Sequence, residues 1–385
     1  MMSEAANLIS PENRAYIALL TVSYPGRFHA VYSQNTGLIF QERQLYTTEN
    51  HLKLLIVDEK YFLLGGTNLV DSLSRSTAED AQGTDPLLHL LPKGASDMDI
   101  VVSGPMAKKL REEFYTIFEM YKTNTSLSNS AGPFTPQSSE YFPIAEEEKA
   151  SIPAFEGSPS VSRGVAAYAV ISGPRFQLHA IGDLYTGLIN SAQSSIQLAN
   201  MYFFPTPRLY DALLEAANRG TALSLITNTL NFKIALSNSS IALYAQLNRS
   251  NYFPMIMGRT YNSFQFLQAA LETPKNVTIY EYSQAYILFH KKVMTVDGRY
   301  IVIGSYNLGS KSEDADFEVA LFVDSPAVTA QVNQILDMDK TCSNLVSWHQ
   351  AYDWYFNPIH SIPSWAQNTL FDGIILDQGS PEAPK

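Results

Sequence analysis

Two distant stretches of the sequence carry the same reactive side chains at the same spacing. In both, a lysine follows a histidine by two residues and an aspartate follows the lysine by five; a glycine then follows by seven and an asparagine by three more. The residues are His51, Lys53, Asp58 and Asn68 in the first stretch, and His290, Lys292, Asp297 and Asn307 in the second. A single short motif can match by chance. Two copies that agree in all their gaps indicate a functional site that is built twice.

Each copy predicts a β-hairpin, because an apolar, β-branched run is followed by a polar turn and a second apolar run. Side chains two residues apart on a strand point to the same face, so each hairpin presents an imidazole beside an ammonium group. Two ordinary hairpins with polar edges would not explain this repetition. Burying charges in otherwise apolar strands is costly unless they have a purpose.

Two such hairpins facing each other would surround one anion with two imidazoles, two ammonium groups and two amides. This set suits a phosphodiester. The lysines stabilise charge on the nonbridging oxygens, one imidazole attacks phosphorus, and the other protonates the leaving oxygen. Asp58 and Asp297 stand at turn entries, where aspartate is favoured locally. We therefore expect them to support the site by hydrogen bonding or ion pairing rather than to react.

The repeated spacing resembles the phospholipase D superfamily signature H-x-K-x4-D-x6-G-[GS]-x-N, which two-lobed members contain twice. The resemblance implies a covalent phosphohistidine intermediate, no metal or other cofactor, and a site on the seam between two lobes. By the same resemblance His51 would be the nucleophile and His290 the acid. Gly66, Thr67 and Ser305, in the small-residue turns of the two motifs, are candidate substrate-binding residues.

A carboxylate completes the set that the resemblance implies. Glu318 stands eleven residues after Asn307, where the family keeps an acid that hydrogen-bonds a catalytic histidine. Aligning the run around Glu318 with the earlier run from Asp97 to Val102 pairs Asp99 with Glu318, and Asp97 remains the alternative. Such an acid fixes the tautomer of the imidazole and stabilises its cation.

Composition limits the classes of function. The 385 residues can form two domains with sizeable cores. With 26 basic and 37 acidic residues, the net charge of −11 disfavours a broad nucleic-acid-binding face. The single cysteine, Cys342, allows no internal disulfide, and the histidines show no zinc-ligand spacing.

The sequence also gives expectations about location and partners. It has no apolar run long enough to span a membrane and no signal-peptide pattern at its start. We expect a cytoplasmic protein or one attached peripherally to a membrane, with a phospholipid or other phosphodiester as substrate. The sequence indicates no obligate protein partner.

The predicted fold class is α/β, with two phospholipase D-type lobes related by a pseudo-twofold axis, each a mixed sheet flanked by helices. We assign residues 1–122 to the first lobe, 123–165 to a Ser- and Pro-rich linker, and 166–385 to the second lobe with an aromatic tail. A helix at 106–122 should close the first lobe.

The second lobe is the more complete in its predicted elements. The helices are expected at 184–191, 208–218 and 264–271, and the strands at 195–199, 223–227 and 277–282. About 114 residues separate Phe176 from His290, whereas fifty precede His51. We therefore expect a first lobe that lacks the opening strand–helix–strand unit. Either that lobe is reduced, or the chain begins inside a longer gene product.

Other residues receive structural interpretations. The three tryptophans, Trp348, Trp354 and Trp365, lie in the C-terminal tail, and we favour packing against the core over contact with a lipid interface. His29 and His89 are each isolated in the sequence, and a lone histidine is more often a packed or solvated side chain than a functional one.

Three functions are compatible with the sequence. The first is a phospholipid hydrolase or phosphatidyltransferase similar to bacterial cardiolipin synthases. The second is a nuclease or nucleic-acid phosphodiesterase of the same superfamily, which the acidic composition disfavours; the DNA-repair branch usually lacks the motif aspartate that this chain keeps twice. The third is a lipid-binding pseudoenzyme, which the shortened first lobe suggests.

Overall fold

The computed structural model describes residues 19–20, 22–24, 38–41, 44–47, 50–68, 94–123, 164–173, 179–229, 238–257, 276–284 and 287–363. Its strands are β1 (Leu38–Gln41), β2 (Gln44–Thr47), β3 (Leu54–Val57), β4 (Tyr61–Gly65), β5 (Gly94–Ser96), β6 (Asp99–Ser103), β7 (Ala166–Ser172), β8 (Ser195–Asn200), β9 (Ala222–Asn228), β10 (Val277–Tyr282), β11 (Ile287–Phe289), β12 (Lys292–Val296), β13 (Tyr300–Gly304), β14 (Glu318–Asp324) and β15 (Ser343–Leu345). Its helices are α1 (Met106–Thr123), α2 (Ala180–Ser191), α3 (Pro207–Asn218), α4 (Asn238–Ser250), α5 (Tyr252–Met257), α6 (Ser310–Asp314), α7 (Pro326–Thr341) and α8 (Trp348–Phe356), followed by a 3-10 turn at Pro358–Ser361.

The second lobe is built on an eight-stranded mixed sheet in the order β15-β10-β9-β8-β12-β13-β14-β7. Strands β8, β9 and β10 are parallel, and β12, β13 and β14 are antiparallel. Apolar residues of α2 and α3 cover one face of this sheet. Helix α7 and the first lobe cover the other face. The sheet is therefore buried on both sides, as its nearly continuous apolar strands require.

The first lobe contains a three-stranded sheet, β3-β4-β6, with α1 packed beside it. Phe62 and Leu64 of β4 and Leu110 of α1 are buried in one apolar cluster with residues of β13 and β14. One core thus extends through both lobes. Burial of these side chains, at about 1.5–3 kcal/mol each, holds the two motif hairpins against each other.

The lobes also exchange strand contacts in a reciprocal way. Strand β5 of the first lobe pairs in parallel with β11, which precedes His290. On the other side of the junction, Asn50, which precedes His51, forms a parallel bridge with Phe317. In each lobe, the segment that precedes the motif histidine thus pairs with the segment that precedes the acidic residue of the other lobe. A reciprocal contact of this kind is what a twofold relation produces.

Most predicted elements have the expected type and differ by a few residues at their ends. Strand β10 has the predicted bounds. Helix α2 begins at Ala180 rather than at residue 184. Gly182 weakens the helix signal of this turn in the sequence. The structure needs a glycine there because a Cβ would meet the carboxylate of Glu313. Strand β8 continues to Asn200 because that residue pairs with Lys292.

Several predictions concern residues outside the described part of the chain. These are the helix at 264–271, most of the linker at 123–165, the isolated histidines His29 and His89, and Trp365.

The aromatic tail packs on the second lobe, as favoured from sequence. Trp348 and Trp354 of α8 lie against its apolar core, and Phe253 contacts the rings of neighbouring aromatic residues. The guanidinium of Arg249 lies 4.3 Å from the centroid of the Trp354 ring, a cation–π contact that fixes α8 against α4. The packing interpretation is confirmed for the two described tryptophans.

One face of the first-lobe sheet is more exposed than the corresponding face of the large sheet. Met294 and Val302, on the α2–α3 face of the large sheet, are fully buried. At the corresponding motif positions of the first lobe, Leu55 is 57 % exposed and Leu63 is half-buried. The expectation that the first lobe lacks an opening strand–helix–strand unit concerns residues that lie mostly outside the described part of the chain, and it stays a prediction. No described helix is long and apolar enough to cross a bilayer.

The two motif aspartates also differ in exposure and in their hydrogen bonds. Asp297 accepts hydrogen bonds at 2.8–2.9 Å from the backbone N–H groups of residues 193–195 and from the Ser194 hydroxyl. These bonds lower the pKa of its carboxyl group and attach the α2–β8 turn to the motif hairpin. Asp58 has the same left-handed turn conformation but is exposed. Neither carboxylate reaches a motif histidine.

This difference predicts unequal effects on stability. Asp58→Ala should cost at most roughly 1 kcal/mol, because alanine tolerates the left-handed backbone at this position less well than aspartate does. Asp297→Ala should lower the free energy of unfolding by about a further 2 kcal/mol, because several charge-assisted hydrogen bonds are lost. Urea denaturation followed by circular dichroism measures both. Equal losses in the two variants would contradict the structural role assigned to Asp297.

Candidate active site

The two motif histidines lie at the junction of the lobes, each held by the backbone of the opposite lobe. The N–H of His51 donates to the carbonyl of Phe317 at 3.0 Å, and the N–H of His290 donates to the carbonyl of Ser96 at 2.9 Å. Both bonds belong to the exchanged strand contacts. Folding of the sheet pairs therefore brings together residues that are 239 positions apart in the sequence.

Each imidazole is paired with a carboxylate of the other lobe. His51 Nδ1 lies 3.0 Å from both carboxylate oxygens of Glu318. His290 Nδ1 lies 2.7 Å from Oδ2 of Asp97. A carboxylate that accepts a hydrogen bond from Nδ1–H fixes the tautomer, so that the lone pair of the imidazole is on Nε2. Two imidazoles are thus prepared in the same way from opposite sides.

The predicted pairing of Asp99 with Glu318 is wrong by two residues. In the sheets, Gly65 pairs with Asp99, whereas the equivalent Gly304 pairs with Ala320. By this register the counterpart of Glu318 is Asp97, and Asp97 is the residue that contacts His290. Asp99 instead accepts hydrogen bonds from the backbone and hydroxyl of Thr67. The alignment by sequence matched the apolar runs of the two lobes. The register of the strands instead follows the pairing of the motif glycines Gly65 and Gly304.

The buried Glu318 receives further hydrogen bonds that the sequence did not reveal. The hydroxyl of Ser305 donates to Oε2, and the hydroxyl of Ser312 donates to Oε1 at 2.5 Å. Ser312 also accepts the backbone N–H of Asn307 at 3.1 Å. Ser312 was missed because its distance from the motif carries no signal in a single sequence. These donors fix the carboxylate that orients His51.

In the first lobe a glycine takes the place of Ser305. A Cβ at Gly66 would collide with the carboxylate of Asp97. The absence of a side chain therefore makes room for the shorter acid that reaches His290. This explains why the two small-residue turns differ. It also gives Gly66 a role in shaping the site, whereas its predicted contact with substrate stays a prediction.

The motif lysines lie beside their histidines. Lys53 Nζ donates to the carbonyl of His51 at 3.0 Å. Lys292 Nζ lies 3.1 Å from both ring nitrogens of His290 and donates to its carbonyl at 2.6 Å. Lys292 is among the largest fully buried side chains of the described residues. An ammonium in that position needs negative charge nearby, which Asp97 and Glu318 provide in part.

Burial shifts the proton equilibria of the site. Removal from water, together with the Lys292 charge, lowers the pKa of His290 to about 4, against an opposing effect of Asp97. Burial also lowers the pKa of His51, although Glu318 opposes the change. It lowers the pKa of Lys292 to about 7. At neutral pH both imidazoles are therefore neutral, and Nε2 of His290 lies 3.1 Å from Lys292 Nζ.

An anion bound between the lobes would reverse these shifts. The Lys53 charge acts on His290 and Lys292, and the Lys292 charge acts on His51, so the two motifs share one electrostatic environment. A negative charge within about 4–6 Å favours the protonated form of each group. An anion bound there would therefore favour a protonated imidazole.

The amides and small residues complete the surroundings. The side-chain oxygen of Asn307 is buried without a hydrogen-bond partner in the described part of the chain. Asn68 and Thr67 are half-buried at the equivalent turn of the first lobe. The predicted roles of Asn68, Asn307, Thr67 and Ser305 toward a substrate remain predictions, because their contacts are to the protein.

A second buried ion pair lies directly behind His290 and was also missed from sequence. Lys291 Nζ contacts both carboxylate oxygens of Asp339, at 2.7 and 2.6 Å, and the Ser96 hydroxyl at 2.9 Å. It joins helix α7 to the first-lobe strand whose carbonyl holds the His290 backbone.

The fold and site define a two-lobed α/β protein with paired histidine–lysine motifs at the junction of the lobes. The family model described as "Cardiolipin synthase, PLD-like domain" matches residues 185–340. Cardiolipin synthase 1 of Staphylococcus epidermidis (strain RP62A) is 26% identical over 304 residues, covering 79% of this chain and 49% of that protein. Probable cardiolipin synthase YwiE of Bacillus subtilis (strain 168) is 25% identical over 280 residues, covering 72% of this chain and 43% of that protein.

Among solved structures, phosphatidylserine synthase of Haemophilus influenzae Rd KW20 matches with a TM-score of 0.58 at 15% identity, covering 95% of this chain and 76% of that one. This match shows a shared fold. Residues 185–340, which form most of the second lobe, thus match the cardiolipin synthase and phospholipase D-like family model, and a longer part of the chain is similar to cardiolipin synthases. The chain spans about half or less of the length of the two cardiolipin synthases named above.

The pKa of His290 can be tested without a substrate. We expect its imidazole to titrate at about pH 4 in the free protein. In Lys292→Met the pKa should rise toward the ordinary value of about 6.5, because a neighbouring positive charge is removed. Side-chain ¹H–¹⁵N NMR spectra recorded against pH measure this. Titration near 6.5 in the unmodified protein, or a fall in the variant, would contradict the assigned environment.

Proposed function

We propose that the protein transfers the phosphatidyl group of a phospholipid to an alcohol or to water through a covalent phosphohistidine. One observation carries the proposal: two imidazoles, each with Nδ1 held by a carboxylate of the opposite lobe, lie with two lysines at one junction. A phosphodiester needs this combination of nucleophile, proton donor and positive charge. The superfamily resemblance supports the covalent step.

The chemistry is assigned to the Nε2 atoms, because each Nδ1 is held by a carboxylate. One imidazole attacks phosphorus and forms an N–P bond while the bond from phosphorus to the leaving oxygen breaks. The second imidazole, protonated in the presence of the anionic substrate, gives its proton to that oxygen. It then takes a proton from the incoming alcohol or water, whose oxygen attacks phosphorus and releases the first imidazole. Lys53 and Lys292 stabilise the charge on the nonbridging oxygens.

The two histidines are nearly symmetric in this scheme. The superfamily resemblance assigns attack to His51 and protonation to His290, and the structure provides both rings with the same carboxylate support. His51 is the more accessible, at 21% side-chain exposure against 7% for His290. Greater access favours the ring that must meet phosphorus and later release it, so we keep the order with His51 as nucleophile.

The activities named for the similar proteins support the choice of a phospholipid as substrate. Cardiolipin synthases and a phosphatidylserine synthase share the family or fold, which favours a phospholipid and favours transfer over hydrolysis. A nucleic-acid substrate has less support, because the chain carries 37 acidic against 26 basic residues. No observation in the site favours it.

The proposal is tested by product analysis. The unmodified protein, His51→Asn and His290→Asn are incubated with phosphatidylglycerol vesicles, and with single-stranded DNA in parallel. The unmodified protein should form cardiolipin or phosphatidic acid. Each variant should lose on the order of 10³-fold or more in rate, because nucleophile and acid act as a unit.

A matched control uses a histidine outside the site. His360 is exposed, lies outside both motif hairpins and contacts Asp353, so His360→Asn should retain full turnover. Undiminished lipid turnover in both site variants would refute the mechanism. Cleavage of DNA with no lipid product would move the protein to the nuclease function.

The pH dependence gives an independent prediction. The pKa of Lys292 is about 7, so this side chain loses its charge as the pH rises through that value. We expect kcat/KM to fall above about pH 7, because this quantity reports groups of the free enzyme. In Lys292→Arg the residual rate should be lower but should not fall with pH, since a guanidinium stays protonated. A wild-type profile that is flat to pH 9 would contradict this assignment.

A further inference from the structure

We infer that the outer surface of α4, centred on Leu243 and Leu247, rests on a phospholipid bilayer and leads the acyl part of the substrate toward the histidines. The inference rests on the proposed function, because it names how that site reaches a lipid. Three features carry it: an aromatic wall beside the site, exposed leucines that continue this wall, and a region of sequence without acidic residues.

The aromatic wall consists of Tyr202, Phe204 and Tyr244. Their rings are near-parallel, with centroids 5.0–5.6 Å apart. Tyr202 and Phe204 follow strand β8, whose last residue pairs with Lys292, and Tyr244 projects from α4. The wall is therefore attached to the strand that holds the buried lysine of the site.

Further contacts place this wall beside both lobes of the site. Tyr202 packs with Leu288 and Ala95, which lie two residues before His290 and Asp97 respectively. The Phe204 ring lies so close to Gly309, two residues after Asn307, that a Cβ there would be 3.1 Å from it. Apolar surface thus begins next to the reacting groups.

The exposed leucines continue this surface outward. Leu243 is 52% exposed and Leu247 is 40% exposed, one turn apart on α4. Helix α4 is already anchored by its other side, where Ala245 and Asn248 are buried and Arg249 binds Glu281. The leucines are therefore not needed to hold the helix in place. Tyr244 lies between them along the helix and connects them to the wall.

The charge distribution indicates a membrane rather than another protein as the occupant. The sequence has no aspartate or glutamate between Glu215 and Glu272, although 37 acidic residues occur in the whole chain. The same stretch has four basic residues. Helix α4 itself carries no acidic residue, so in a chain of net charge −11 its surface adds no repulsion toward an anionic bilayer. Leucine and tyrosine are side chains that favour the interface of a bilayer.

The experiment compares two pairs of substitutions that change the charge equally. Leu243→Glu with Leu247→Glu alters the proposed surface, and Ile335→Glu with Met338→Glu alters exposed positions of α7. Each protein is assayed for sedimentation with vesicles of phosphatidylcholine and phosphatidylglycerol. Turnover is measured on those vesicles and on dihexanoyl phosphatidylglycerol, which is soluble as a monomer. Circular dichroism confirms folding.

We expect the α4 pair to weaken vesicle binding and vesicle turnover by roughly tenfold or more, since apolar burial is lost and anionic lipid is repelled. Turnover of the soluble lipid should stay within about twofold, because no group of the site is changed. The α7 pair should behave as the unmodified protein. Unchanged vesicle binding in the α4 pair, equal losses in the α7 pair, or no vesicle binding by the unmodified protein would overturn the inference.

The two proposals fail in different ways. Vesicle binding that depends on the leucines, without lipid product from the unmodified protein, would keep the membrane surface and refute the enzymatic function. Lipid turnover with binding that does not depend on the leucines would keep the function and refute the surface.

Discussion

The structure depends on the crossed pairing of each motif histidine with a carboxylate of the opposite lobe. His51 contacts Glu318, and His290 contacts Asp97. Neither lobe can orient its own imidazole, so the site exists only while the lobes are docked. The shared apolar core and the exchanged strand contacts maintain that docking. This arrangement converts two copies of one motif into a single site with two complementary bases.

The same pairing explains why so much charge is tolerated at the junction. Two lysines and two histidines would be strongly unfavourable in a buried position without the carboxylates. The balance is incomplete, as the lowered pKa values of His290 and Lys292 show. In the proposed function, the phosphodiester would supply the missing negative charge and would favour a protonated imidazole that can act as proton donor.

The two motif hairpins could be predicted because their residues are repeated in the sequence. The spacing of the two motifs predicts both hairpins, and the alternation of side chains in a strand places His51 beside Lys53. The sequence could not predict Asp97 over Asp99, because the register depends on which residue pairs with the motif glycine. Ser312 and the Lys291–Asp339 pair depend on contacts between distant elements, for which a single sequence contains no signal. The aromatic wall became evident only when β8 and α4 were placed together.

The most direct test of this account is a crystal structure with tungstate or vanadate bound. The account predicts one oxyanion between the lobes, with Nε2 of His51 and of His290 on opposite sides of it and both motif lysines in contact with its oxygens. An anion held by one lobe alone, or two histidines too far apart to share it, would contradict the central claim that the two motifs form a single site.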